Sequence, residues 1–396
     1  MSMRQFIAKH IEELEWSGIR KFADIAAQVP DALSLCVGEP DFKTPERVRL
    51  AAMRSLEEGK TRYSMNMGLP ELRAEIAHYL QRRFQLEYDP AQEILCTIGA
   101  SEAIDVALRA IIEPQDEILV VEPSYVAYKP AILLEHGVPV VVETKAENDF
   151  KLMPEELERA ITLKTKALIL PYPNNPTGAI MEREDLQRLV PVILEHDLLV
   201  ISDEIYAELT YGGKTHCSIA SIEGMRERTI VLNGFAKSFS MTGWRLGFAA
   251  GPAELIQAMR KIHAYVIMCA PAPSQYGAIE ALRDDALCDA DINRMRKAYD
   301  ERRKYLLREC ARLGMDCFEP RGAFYIFPSI QRTGLRSQEF CERLLFEAGV
   351  AVVPGDAFGE SGEGFVRISY AYSMEELERC MAKIAGFLRK IGCTDA

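Results

Sequence analysis

The chain has 396 residues, 48% of them hydrophobic, with 47 Lys and Arg against 59 Asp and Glu, a formal net charge of −12. That length exceeds the ~250–300 residues at which single cores stop growing, so one large and one small domain are expected. The acidic balance, with no long run of one sign, argues against binding a nucleic-acid backbone, and no stretch reaches the ~18 apolar residues of a membrane span.

The first 45 residues include VGEPDFKTP (37–45), which has turn residues but no clear element, and the opening MSMRQFIAKHIEELEW lacks the apolar core of a signal peptide. A strand over ILCTI (94–98) meets Gly99, Ala100 and Ser101 and then a helical period in EAIDVALRAII (102–112). Small residues there let backbone N–H groups approach a phosphate at the positive end of the helix, and Ser101 adds a hydroxyl; an ordinary Ser-capped unit has the same pattern. The stretch is neither a G-K-[ST] loop nor a G-x-G-x-x-G fingerprint, so ATP and dinucleotides lose support.

Strands follow at EILVVE (117–122), PVVVE (139–143) and ALILPY (167–172). Tyr125 and Tyr128 come just after the first of these, and either can stack on a planar ring or pack in the core. LPYPNNPTGAI (170–180) puts a strong turn signal at Asn175-Pro176-Thr177-Gly178 after a strand, with the Asn175 amide available as a donor. The helical REDLQRLVPVILEH (183–196) leads to LLVIS (198–202) and Asp203, which reads either as a helix cap or as a carboxylate at a strand end awaiting a cationic partner. TIVLN (229–233) opens through Gly234 and Ala236 into Lys237, where a partly desolvated amine has a lowered pKa and can form a Schiff base. LGFAA (246–250) is the last strand of this series, and the alternation of doubly apolar strands with helices predicts an α/β fold with a mostly parallel sheet.

Beyond about residue 285 the pattern changes to a long charged helix (292–313), strands in AFYIF (323–327) and FVRISYA (365–371), and a terminal helix from Met374. This predicts a smaller α+β domain. Arg367 can grip a carboxylate bidentately or make a surface ion pair. The six histidines show no metal-ligand spacing, so no metal is expected. The ten cysteines include no C-x-x-C pair and read as reduced thiols of a cytoplasmic protein.

Amine, ring partner, phosphate cradle, stacking ring and carboxylate clamp together suit pyridoxal 5'-phosphate. GEPDF (38–42), Tyr63 with Gly68, GASEA (99–103), the P-x-Y-x-x-Y of 123–128, NPTG (175–178), D-E-I-Y (203–206), K-x7-R (237–245) and FVRIS (365–369) occur in the order seen in the fold-type-I aminotransferases of classes I and II, which the chain resembles over nearly its whole length. The resemblance implies a large cofactor-binding domain over 46–285 with a mostly parallel seven-stranded sheet. It implies a small α+β domain from 286–396 joined by 1–45, which includes an N-terminal arm.

By position, the resemblance makes Lys237 the lysine that holds the cofactor as an internal aldimine and shuttles the Cα proton, and Asp203 the partner of the pyridine nitrogen. Tyr206 and Asn175 would bond the phenolic oxygen and Tyr125 would stack on the ring. Ala100, Ser101 and Arg245 would bind the phosphate, with Tyr63 reaching the phosphate of a neighbouring subunit in a homodimer. Gly38 and Arg367, with Asn175, would receive the substrate carboxylate. The implied activity is ping-pong transfer of an amino group from an L-amino acid to a 2-oxo acid, most often 2-oxoglutarate in this family. A carbon–sulfur β-lyase is the alternative on the same fold; a protein that merely senses the cofactor ranks last, since residues 1–40 hold no helix-turn-helix pattern. Two positions depart from the family pattern. Gly234 and Ala236 stand where serines are common, which shifts phosphate binding to Ser101, Arg245, backbone N–H groups or a hydroxyl such as Ser238 or Ser240. Ser101 stands where some aspartate-using members have a lysine.

Overall fold

The computed structural model describes residues 6–12, 14, 16, 18, 22, 25 and 28–394. A short strand, β1 (Leu33–Ser34), precedes a central sheet of seven: β2 (Ile94–Thr97), β3 (Glu117–Glu122), β4 (Val138–Glu143), β5 (Thr165–Leu170), β6 (Leu199–Asp203), β7 (Thr229–Gly234) and β8 (Gly247–Ala250). Their order is β2-β8-β7-β6-β5-β3-β4, and only β8 runs against its neighbours. The inner strands β5 to β7 are buried over most of their length, which is why they read as apolar runs rather than alternating ones.

Because β8 turns straight back along β7, with Gly234 opposite Gly247, the loop between them leaves from the carboxyl edge of the parallel strands. The segments after β2, β3, β5 and β6 leave from the same edge, so Ser101, Tyr125, Asn175, Asp203, Lys237 and Arg245 all belong to one rim. That rim is where open α/β sheets bind ligands. The helix after β2 spans Gly99–Ile111 rather than starting at 102, so Ala100 and Ser101 lie within its first turn.

The C-terminal part holds β9 (Tyr325–Ile326), β10 (Val350–Ala351), β11 (Val353–Pro354) and β12 (Val366–Ser369), with β11-β12-β9 forming an antiparallel sheet. The long helix starts earlier than its charge pattern suggests, at Asp285, where the Asp284 side chain caps it, and ends at Leu313 before Gly314 at φ 69°. The terminal helix does begin at Met374, behind a capping box of Ser373 and Glu376.

Although VGEPDFKTP forms no strand or helix, the residues before it are anchored. β1 pairs parallel with β10, and the N–H of Ser369 donates to Leu35 O at 3.1 Å. These bonds deliver Gly38 to the rim. A single apolar cluster contains Tyr206, Leu209 and Tyr211 from beyond β6 together with Tyr299, Tyr325 and Tyr370, so the C-terminal part packs directly on the site edge. Among the described residues, no helix is long and apolar enough to cross a membrane.

Candidate active site

Lys237 sits in the loop after β7, partly buried, with its Nζ donating to Gly38 O at 2.5 Å. Its amine lies 5.5 Å from the ring centroids of both Tyr206 and Phe324. Burial is the largest reason its pKa falls to about 8; Glu39 opposes the fall, Arg367 and Arg245 deepen it, and Asp203 opposes it. An ordinary lysine at neutral pH is almost wholly protonated, whereas this one holds a usable fraction of neutral amine.

Asp203 ends β6 and is only 6% exposed. The Tyr128 hydroxyl donates to its Oδ2 at 2.8 Å and the Ile205 N–H to its Oδ1 at 3.2 Å. Burial raises its pKa, and these two donors only partly oppose that. Among the described residues it makes no ion pair, so a buried carboxylate is left without a cation. Tyr125 packs edge-on against Tyr128 at 5.7 Å. Burial and then Asp203 raise the Tyr125 pKa, against Arg245, Arg367 and a hydrogen bond with Ser101, so this ring stands among all four. Of the two tyrosines, Tyr128 is therefore spent on Asp203 and Tyr125 is left facing the site.

Arg245 precedes β8 in a left-handed backbone conformation, φ 50°, and its Nη1 donates to Thr242 O at 2.9 Å. Its guanidinium lies over the start of the Gly99–Ile111 helix. A Cβ at Gly99, whose φ is 76°, would fall 2.7 Å from Arg245 Nη2. A Cβ at Gly247 would fall 2.7 Å from Ala100 N. A guanidinium and the positive end of a 13-residue helix thus converge, with Ser101 exposed beside them, which favours an anion there.

The missing serine at Gly234 has a steric reason. A Cβ there would lie 2.9 Å from Gly247 Cα and 3.0 Å from Leu246 O, because β7 and β8 pass closely at this register. Gly234→Ser is therefore expected to destabilise the protein by about 1–3 kcal/mol, the usual cost of overpacking, rather than to restore a phosphate ligand. Equal or higher melting temperature for this variant in a thermal scan contradicts the close packing. Of the hydroxyls named as replacements for the serine, Ser240 is turned away, its Oγ lying 3.1 Å from Met295 Sδ; Ser238 is buried.

Arg367 on β12 is 1% exposed, and its Nη1 donates to Asn175 Oδ1 at 2.9 Å while Nη2 donates to Cys36 O. Its Nε has no partner, and among the described residues it makes no ion pair. The guanidinium stacks 4.5 Å from the Tyr325 ring centroid and 4.9 Å from that of Phe358. The Tyr325 hydroxyl lies 2.9 Å from that of Tyr206. Gly38 passes so near that a Cβ on it would fall 2.4 Å from Tyr325 Oη.

One sequence-predicted residue stands apart. Tyr63 is 82% exposed and makes no hydrogen bond to this group within the chain. Conversely, Tyr325 and the Cys36 carbonyl escaped sequence reasoning. AFYIF reads only as an apolar strand, and nothing local in it points to Arg367. His216, an isolated histidine in the sequence, lies 2.8 Å from the buried Glu204, whose other oxygen accepts from Ser202 and Ser218. All ten cysteines are free.

Comparison with known proteins agrees with this geometry. A family profile described as aminotransferase class I and II matches residues 30–384. The chain is 48% identical to the aspartate aminotransferase of Pyrococcus abyssi, covering 94% of this chain and 96% of that one. It is 42% identical to aromatic-amino-acid aminotransferase 2 of Thermococcus litoralis, covering 97% and 98%. A solved aromatic aminotransferase from Pyrococcus horikoshii superposes with a TM-score of 0.90 at 45% identity, covering 94% of this chain and all of that one. The chain belongs to the class I and II aminotransferase family. It is an aminotransferase dependent on pyridoxal phosphate, with the fold-type-I architecture. The residues present suit that cofactor. This aminotransferase offers an anion cradle at Gly99 and Arg245, a buried carboxylate without a cation, and an amine between them.

Proposed function

We propose that this aminotransferase works in two half-reactions, taking an amino group from an L-amino acid and then giving it to a 2-oxo acid, with Lys237 as both attachment point and proton carrier. The observation that carries this is the Lys237 amine, its pKa lowered to about 8 by burial, near a buried carboxylate and two arginines that, among the described residues, pair with no carboxylate. When bound, pyridoxal phosphate supplies the aldehyde carbon that exchanges amines and the ring that accepts electrons when the Cα proton leaves.

The residues divide the work. Asp203, steadied by Tyr128, would serve as partner of the ring nitrogen and favour its protonated form. Tyr206 and Asn175 would donate to the phenolic oxygen, and Tyr125 would pack on the ring. Ala100, Ser101 and Arg245 would hold the phosphate. Arg367, with Asn175 and the Gly38 backbone, receives the substrate carboxylate, and Lys237 returns the proton it removes. The exposed Tyr63, with Met65, Tyr265 and Met268 also exposed, supports a homodimer in which Tyr63 reaches the partner's phosphate site. We place the enzyme in the cytoplasm, consistent with its ten free cysteines, and divide it into a cofactor-binding unit over 46–285 and a smaller one from 1–45 and 286–396.

The names of its relatives span aspartate, aromatic and N-acetyl-LL-diaminopimelate donors. A stopped-flow screen decides between them: the loaded enzyme is mixed with single amino acids without an acceptor, and bleaching of its visible band is followed. At least one common L-amino acid should bleach it and 2-oxoglutarate should restore it. A panel with no response, or release of pyruvate and ammonia from a cysteine conjugate without an acceptor, overturns the proposal.

The pH dependence of loading is a further expected result. Only the neutral amine attacks an aldehyde, so covalent uptake of pyridoxal phosphate by the ligand-free protein should accelerate as pH rises, half-maximally at about pH 8. Borohydride trapping over a pH series measures this. A half-point near the ordinary lysine value of 10.5 is incompatible with the buried amine.

A further inference from the structure

Tyr325 touches both halves of the site. It is 1% exposed on β9, and its place is set by β12, the strand that carries Arg367, through the pairings Ser369 with Tyr325 and Ile368 with Ile326. Its ring lies 4.5 Å beneath the Arg367 guanidinium and its hydroxyl 2.9 Å from that of Tyr206. The close approach of Gly38, where a Cβ would fall 2.4 Å from that hydroxyl, walls in its other side. No local feature of the sequence marks this residue. We infer that Tyr325 is a positioning residue that joins the Tyr206 hydroxyl to the Arg367 carboxylate clamp. This rests on the roles proposed above for Tyr206 and Arg367.

The two contacts act differently. Among the described residues the polar partners of Arg367 are Asn175 Oδ1 and the Cys36 carbonyl, and since neither is a carboxylate that matches its fork, its plane is left to the rings of Tyr325 and Phe358 against it. A ring stacked on its face fixes the guanidinium plane, so that the remaining N–H groups meet a substrate carboxylate in plane. At the other end, two buried hydroxyls at hydrogen-bond distance share one proton between them. With Tyr325 as donor, Tyr206 keeps its own proton to donate towards the cofactor's phenolic oxygen. Burial raises the pKa of both tyrosines, which keeps them protonated in this role.

Two variants of the loaded enzyme separate these contacts. Tyr325→Phe keeps the stack and deletes the hydroxyl. It should move the pH at which the cofactor's visible band half-converts, with KM for L-aspartate or L-phenylalanine changed by less than about twofold. Placed in a Tyr206→Phe background, the same substitution should move that pH no further, since a contact acting through Tyr206 has nothing left to act on. Tyr325→Leu deletes the stack and should raise KM roughly 2- to 30-fold for whichever of the two amino acids the wild type turns over, with a smaller change in kcat.

A spectral shift of equal size in both backgrounds, or an unchanged KM in Tyr325→Leu, overturns the inference and assigns Tyr325 to packing alone. The controls are Tyr206→Phe and Arg367→Lys by themselves. If these leave the band's pH and KM unaltered, the roles of Tyr206 and Arg367 fall and the inference falls with them. If the controls respond and the Tyr325 variants do not, only the inference is lost.

Discussion

Lys237→Ala is expected to lower kcat for transamination by about 10^4-fold, the upper end of what a positioned proton-transfer group contributes. Burial at the rim pushes the Lys237 amine towards the neutral form, and Arg245 and Arg367 push it the same way. Among the described residues its side chain makes one hydrogen bond, to Gly38 O, so its removal should leave the fold intact. The variant should still retain the cofactor through the anion cradle at Gly99 and Arg245, but without the covalent link. Steady-state rates with the amino acid found in the screen, together with borohydride trapping, measure both effects. Full transamination in Lys237→Ala would falsify the assignment.

Arg367→Leu is the second large effect. Truncating one member of a buried, hydrogen-bonded charge pair costs about 2–5 kcal/mol, which corresponds to a rise in KM of roughly 30- to 5,000-fold for both amino and oxo acid. The physical basis is that Arg367 is buried with an unpartnered Nε and, among the described residues, no carboxylate partner, an arrangement costly in the free enzyme and relieved when a carboxylate arrives. Both substrates of the two half-reactions carry that group, so both KM values should rise together. A structural arginine behaves differently, lowering the melting temperature while leaving KM unaltered. Initial-rate kinetics with a parallel thermal scan distinguishes the two.

Much of the central sheet was visible in the chain, because a strand buried on both faces announces itself through consecutive β-branched and aliphatic residues. EILVVE, ALIL, LVIS and TIVLN all became strands of the sheet. Boundaries were harder. The helix after β2 begins at Gly99 because a glycine at positive φ allows the backbone to turn straight into it, which periodicity does not register. The long helix begins at Asp285 because Asp284 caps it, seven residues before the charged stretch at 292–313. The antiparallel direction of β8 left no mark in LGFAA, since strand direction depends on the path of the chain between strands.

The candidate site divides in the same way. From the residues alone came the types and their positions at strand ends: Lys237 after TIVLN, Asp203 after LLVIS, Asn175 after ALILPY and Arg367 within FVRIS. These follow from local patterns, in which a polar residue interrupts or ends an apolar run. Tertiary structure alone decided which of these groups meet and which stay unpaired. Tyr128 and Asp203 are 75 residues apart, Asn175 and Arg367 192, and Gly38 and Lys237 199. Such contacts depend on crossover connections and on packing of the C-terminal sheet against the rim, to which a local period of 2 or 3.6 residues is blind. Tyr325 shows the limit most sharply: in sequence it is one aromatic in an apolar strand, and only the folded chain sets it between Tyr206 and Arg367.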